Sequence, residues 1–319
     1  MVVSLDSRLA QLIDADAEVE RVATGFRFTE GPVWNSRENC LLFSDPRTHI
    51  IHRWSAKDGV SNFRESSNSA NGNTFDPQGR LITCESRRSL SRRPDGSFET
   101  EGQDSGEGGR RVTRTELDGK IQPIATHSKG GRLSSPNDIV CLANGDVLFT
   151  DPNYGLRHAD GSMTPRETPF NGVYRVNHAS GAVELITGDI ESPNGLVVPD
   201  DGARVLIADT RRHIVLSYPL NGDATDKGSV YVDLTHGDSE GHPDGMKLDE
   251  LGNLYIAAGT AEGIWVYGSD GELLGFVPIP ERPANCAWGD AGWQSLYVTA
   301  QTSVYRVRFK VPGQKLNPA

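Results

Sequence analysis

NGLVVPDDGARVLIAD, residues 194–209, is the stretch from which the fold can be read. It opens on an amide residue after a proline. A short apolar run follows, then a turn rich in Asp and Gly, then a second apolar run that ends on a carboxylate. Both runs are short, β-branched and bounded by turn residues, which predicts two strands joined by a hairpin. The same template recurs five more times: EGPVWNSRENCLLFSD from Glu30, NGNTFDPQGRLITCE from Asn71, NDIVCLANGDVLFTD from Asn137, DGMKLDELGNLYIAAG from Asp244 and NCAWGDAGWQSLYVTA from Asn285. Further strand-like runs, such as GVYRVN, IVLSYPL and GIWVYG, lie between the templates. No stretch after residue 20 keeps a helical period.

The six starts are 41, 66, 57, 50 and 41 residues apart. The shorter spacings match one four-stranded propeller blade of about 40–50 residues. The longer ones call for insertions, and two polar stretches without apolar pattern supply them, at 86–109 and 157–171. These features predict an all-β chain forming a six-bladed β-propeller, one domain over 1–319 with residues 1–20 as an N-terminal extension. The last run, SVYRVRF at 303–309, is expected to share a blade with strand residues from the N-terminal segment. That pairing closes the ring and removes the exposed sheet edges.

Composition narrows the function. The chain has 319 residues, 36% hydrophobic and 24% charged, as a folded globular protein does. Its net charge of −11 argues against a nucleic-acid partner, which would select a basic face. No run approaches the ~20 apolar residues of a membrane helix, so no membrane partner is expected. The N-terminus lacks a basic start followed by an apolar stretch, so no signal peptide is expected and the location is expected to be cytoplasmic. Cys40, Cys84, Cys141 and Cys286 form no C-x-x-C pair and read as free thiols.

Equivalent positions of the blades point to equivalent places around a propeller's central channel. Glu30, Asn71, Asn137, Asn194, Asp244 and Asn285 are therefore expected to ring one channel mouth. Every member carries a side-chain oxygen and two are carboxylates. Such a set suits a hard divalent cation, Ca²⁺ first and Mg²⁺ or Mn²⁺ next, with Zn²⁺ less suited because it prefers nitrogen and sulfur. A cation there would polarise a carbonyl or phosphoryl oxygen and activate a water. Asp244 is the candidate general base, with direct nucleophilic attack as the open alternative. His242 reads as a loop residue, and Arg114, in the basic run RRVTR, as a strand residue reaching toward the pocket to bind a polar or anionic substrate group.

EGPVW (30–34), SPNDIV (135–140) with FTDPNYG (149–155), SPNGL (192–196) and HPDGMKLD (242–249) together resemble the gluconolactonase, senescence-marker-protein and luciferin-regenerating-enzyme family. The resemblance spans roughly residues 20–309. It implies a six-bladed propeller with a central-channel metal held by Glu30, Asn137, Asn194 and Asp244, and Asp244 as the acid/base residue. It implies substrate-contacting roles for Asn71, Asn285 and Tyr154, and opening of a sugar lactone such as gluconolactone to its aldonic acid. The chain departs from the pattern at Ser135, where vertebrate members carry arginine, and at Ser134, where bacterial members commonly carry asparagine. Two other readings use the same ring: a phosphotriesterase-like hydrolase, and a non-catalytic Ca²⁺-binding propeller. The intact carboxylate–amide ring favours an enzyme over a scaffold, and the partner expected is a small-molecule lactone.

Overall fold

The computed structural model describes residues 1–86, 90–92, 98–100, 109–128, 130–157, 161–199, 202–222, 227–236, 239–259 and 263–315. Six antiparallel sheets stand in a circle, each built on four strands that meander outward from the centre. Blades one to six are numbered here by their innermost strands: Glu30–Asn35, Ala70–Phe75, Ile139–Cys141, Pro193–Val197, Met246–Leu248 and Pro283–Gly289. These six strands pack side by side in a closed ring. The chain is a six-bladed β-propeller, and the repeat starts fall on the inner strands or just ahead of them.

Ring closure follows the expected route. Val19–Thr24 pairs antiparallel with Ser303–Arg308 and forms the outer strand of blade six. The segment ahead of it is also tied down. Val3–Ser4 adds to the edge of blade five, and the four-residue helix Leu9–Leu12 buries Leu9, Leu12 and Ile13 against Tyr255, Trp288 and Phe309. Such a short helix has no periodic signature, and tertiary burial supplies its stability. Most of 86–109 lies outside the described residues; within it Leu90–Arg92 pairs with Phe98–Thr100. The stretch 157–171 is described except for 158–160, and it carries one isolated bridge, Arg157 to Met163. All four cysteines are buried and free. Among the described residues no helix is long and apolar enough to cross a membrane.

Two devices place the starts of inner strands, a glycine after the ring residue in blades one, two, four and five and a carboxylate clasp in blades one, three and four. The first is glycine after a ring residue. A Cβ on Gly195 would stand 2.2 Å from the Asp244 carbonyl oxygen, and one on Gly31 only 1.8 Å from that of Asn71. Neighbouring blades thus touch backbone to backbone at the ring, which only glycine permits. Gly72 and Gly195 use the approach to donate N–H bonds to Asn137 O at 2.8 Å and Asp244 O at 3.2 Å.

The second device is the carboxylate that ends the second strand of a blade. Asp45 accepts the Arg27 N–H at 2.8 Å. Asp151 accepts Ser134 N–H at 2.8 Å and Ser135 N–H at 2.6 Å. Asp209 accepts Glu191 N–H at 3.0 Å and Ser192 N–H at 3.1 Å. Each is buried and clasps the loop that feeds its own inner strand. Buried donors need such partners, so the loop cannot drift without leaving them unpaired.

Candidate active site

The loops and inner-strand starts enclose a cavity of about 340 Å³. Glu30, Asn71, Asn137, Asn194 and Asp244 all line it, so five of the six predicted ring residues meet at one mouth. Tyr154, from the short 3₁₀ turn Tyr154–Leu156, lines it as well.

Glu30 is buried, and its Oε2 accepts the Gly31 N–H at 2.8 Å and the Asn285 Nδ2–H at 3.3 Å. Burial pushes its carboxyl well above the ordinary glutamate range, and the nearby Asp244 and Asp138 push it further. Asp244 is pushed up to about 7, first by burial, against the pull of Arg282 and with a further push from Asp138. Asp138, deeper in the channel, is raised by burial and pulled back by Lys247. Three carboxyl groups therefore oppose one another's ionisation in the channel, which is the electrostatic setting a cation relieves.

Asn194 is held by a residue that the repeat does not reveal. Its Nδ2 donates to Thr210 Oγ1 at 3.0 Å, and the Thr210 hydroxyl donates to the Pro243 carbonyl at 2.8 Å. Thr210 thus couples a blade-four ring residue to the residue preceding Asp244. The Tyr154 hydroxyl joins the same group, donating to Thr210 Oγ1 at 3.5 Å and lying 2.7 Å from Ser192 Oγ.

The structure places two expected substrate contacts off this cavity's wall. Asn285 is buried behind Glu30, to which it donates, and it is not on the cavity wall. Arg114 stands away from the mouth. In its strand Arg111 pairs with Glu85 at the mouth end, whereas Arg114 pairs with Ile82, three residues down. That is about 10 Å along a strand. Arg114 faces a different cavity and forms an ion pair with Glu116 at 2.6 Å. His242 packs on His213, ring centroids 4.3 Å apart, and does not line the ring cavity.

Sequence reasoning missed Phe28, Arg47, Ser86 and Arg157, which complete the wall. All lie on connections rather than at repeated positions, so no period marks them. Ser135, noted only as a departure, is also on the wall, and its Oγ accepts the Gly155 N–H at 2.9 Å.

Residues 28–302 match the family model described as the SMP-30/Gluconolactonase/LRE-like region. The chain belongs to this family. It is 32% identical to a gluconolactonase of Zymomonas mobilis over 98% of this chain and 87% of that protein. It is 26% identical to a 6-deoxy-6-sulfogluconolactonase of Pseudomonas putida, over 89% of this chain and 92% of that one. Among solved structures, a gluconolactonase from Xanthomonas campestris superposes with a TM-score of 0.81 at 26% identity, covering 97% of this chain and 94% of that one. The resemblance carried by the four sequence motifs is thereby borne out.

Proposed function

We propose that this chain hydrolyses a sugar lactone to its aldonic acid with the help of a divalent cation held by Glu30, Asn137, Asn194 and Asp244. The observation that carries the reading is the convergence of those four oxygen-bearing side chains on one cavity, in a member of a family with gluconolactonases among its relatives. The donor set fits a hard cation. It offers two carboxylates and two amides, with no nitrogen or sulfur ligand. The raised carboxyl groups of Glu30 and Asp244 supply a second reason, because a bound cation offsets both burial and mutual repulsion. Ca²⁺ is the first choice and Mg²⁺, Mn²⁺ and Zn²⁺ are the alternatives.

When bound, the cation would polarise the lactone carbonyl. Asp244 then removes a proton from the attacking water as its oxygen bonds to the carbonyl carbon. The bond from that carbon to the ring oxygen breaks, and Asp244 returns the proton to the departing oxygen. Asn71, Ser135 and Tyr154 offer hydrogen-bonding partners for sugar hydroxyls. A wall of this polarity suits a hydroxylated substrate better than the apolar leaving group of a phosphotriester.

The test is acid release from gluconolactone at constant pH, read against the spontaneous rate. The protein is stripped with chelator and restored with Ca²⁺, Mg²⁺, Mn²⁺ or Zn²⁺ in turn. Loss on stripping and recovery with one ion is expected. Asp244→Asn should abolish turnover while weakening cation binding only in part, and Glu30→Gln should chiefly lower cation affinity. Full activity in protein that elemental analysis finds metal-free would overturn the mechanism.

A further inference from the structure

Two cavities meet at Asp244. The ring cavity is one; the other, of about 500 Å³, is walled by Arg27, Arg47 and Arg282 together with Gln301 and Thr302. Phe28, Arg47 and Asp244 line both, so a molecule seated at the ring can extend into the second lobe without leaving the pocket.

The charge of that lobe runs against the rest of the chain. The protein carries a net −11, yet among the described residues this lobe is lined by three arginines and one carboxylate, Asp244. The backbone that presents two of them is fixed. Asp45, itself buried, accepts the Arg27 N–H at 2.8 Å and the Arg47 N–H at 3.2 Å. The Arg47 guanidinium lies over the Phe28 ring, 5.1 Å from its centroid, in a cation–π contact. Arg282 is close enough for its charge to act on Asp244. A neutral hydroxyl accepts from these groups at a single oxygen and neutralises none of their charge. An oxyanion gains charge-assisted bonds about twice as strong, in the fork geometry that arginine presents.

We infer that this lobe is an oxyanion subsite, and that the preferred substrate is a lactone with a carboxylate, phosphate or sulfonate at the end remote from its carbonyl. The inference rests on the lactonase reading of the ring for what happens at the carbonyl end. It adds the chemical class of the distal end, with Arg27, Arg47 and Arg282 as its specificity residues.

The test compares kcat/KM for neutral gluconolactone with lactones of the same ring size bearing a carboxylate, phosphate or sulfonate on the terminal carbon. The wild type should favour an anionic lactone about tenfold or more, the scale of one hydrogen bond to a charged group, and added salt should shrink that preference. Arg282→Gln and Arg47→Gln should each cut the anionic-to-neutral ratio about five- to tenfold, mainly through KM. The anion with the largest ratio identifies the natural group. In parallel, calorimetry compares binding of glucarate, a dianion, with gluconate, a monoanion, since neither can be hydrolysed. Turnover without anionic preference, or with a preference that both variants retain, overturns the subsite and leaves the lactonase reading standing. No turnover of any lactone, with tighter glucarate binding that Arg282→Gln abolishes, supports the subsite and overturns the lactonase reading. Neither turnover nor a difference in binding overturns both.

Discussion

Thr210→Val is the perturbation that tests how the ring is held. Valine keeps the shape of threonine and removes its oxygen. That oxygen accepts from Asn194 Nδ2 at 3.0 Å and donates to the Pro243 carbonyl at 2.8 Å. Each bond contributes about 1 kcal/mol net, and the pair about 2 kcal/mol, because the groups are only part-buried and water can meet some of the lost need. The location of the loss matters more than its size. Asn194 belongs to blade four and Pro243 leads into Asp244 of blade five, so the hydroxyl sets the spacing of two proposed ligands. If the whole loss falls on the bound state, cation affinity drops about tenfold to thirtyfold, at 1.4 kcal/mol per factor of ten. Calcium binding is measured by competition with a chromophoric chelator, and turnover is measured at saturating cation. Affinity should fall by that factor, turnover at saturation should fall less, and Thr210→Ser should restore both. Wild-type affinity in Thr210→Val would refute the reasoning. A loss in Thr210→Ser as well would show that the methyl, which valine keeps, is needed in addition to the hydroxyl.

Three further outcomes follow from the geometry. Arg114→Ala removes an ion pair between two partly exposed side chains and should cost under about 1 kcal/mol in denaturant melts, with lactone kcat/KM within about twofold of wild type; a larger kinetic loss would return Arg114 to the substrate site. Leu9→Ala cuts a fully packed side chain between blades five and six and should cost about 2–4 kcal/mol in the same melts, whereas a cost near zero would show that residues 1–13 are not docked in solution. Burial pushes the Asp151 carboxyl up to about 7 against the Ser134 and Ser135 N–H bonds, so the native state holds its proton to higher pH than the unfolded chain. Its contribution to stability is therefore complete below about pH 4 and declines as pH rises through about 7. Thermal melts from pH 4 to 8 should show that decline in the wild type and a flatter profile in Asp151→Asn; parallel profiles would exclude it.

What was legible in the sequence is what the repeat must write six times. Each blade needs a hairpin, so apolar runs and turn residues recur. Neighbouring inner strands approach within backbone contact at the ring, so Gly31, Gly72 and Gly195 each follow a ring residue, and Gly245 follows Asp244 where the Asn285 side chain leaves no room for a Cβ. The carboxylates of Asp45, Asp151 and Asp209 recur because each clasps its own loop, although as sequence they read only as the ends of strands. Arg114 was misplaced because a charged residue on a strand fixes its face but not its distance from the mouth, and that distance depends on pairing with Ile82 rather than Glu85. Asn285 occupies a true ring position, yet it donates to the Glu30 carboxylate and is not on the cavity wall, which Glu30 lines. Strand period alone cannot rank two residues along one line of sight.

This division has a consequence for specificity. A propeller can vary a connection between strands without disturbing the closed ring, because the inner strands of blades one to five are already fixed by glycine contacts or carboxylate clasps. Residues on those connections escape the constraint that makes the repeat visible. Arg27, Phe28 and Arg47 lie on such connections, and Arg282 lies immediately before the inner strand of blade six, outside the repeat template. Asp45 fixes the backbone at Arg27 and Arg47 through their main-chain N–H groups, bonds that any residue but proline could make. The clasp therefore constrains where these side chains start and leaves their identity open. Arginine at those positions is what the oxyanion subsite proposed above would call for. In the proposed reaction the ring would determine which bond is attacked, and the loops around it which molecule is admitted.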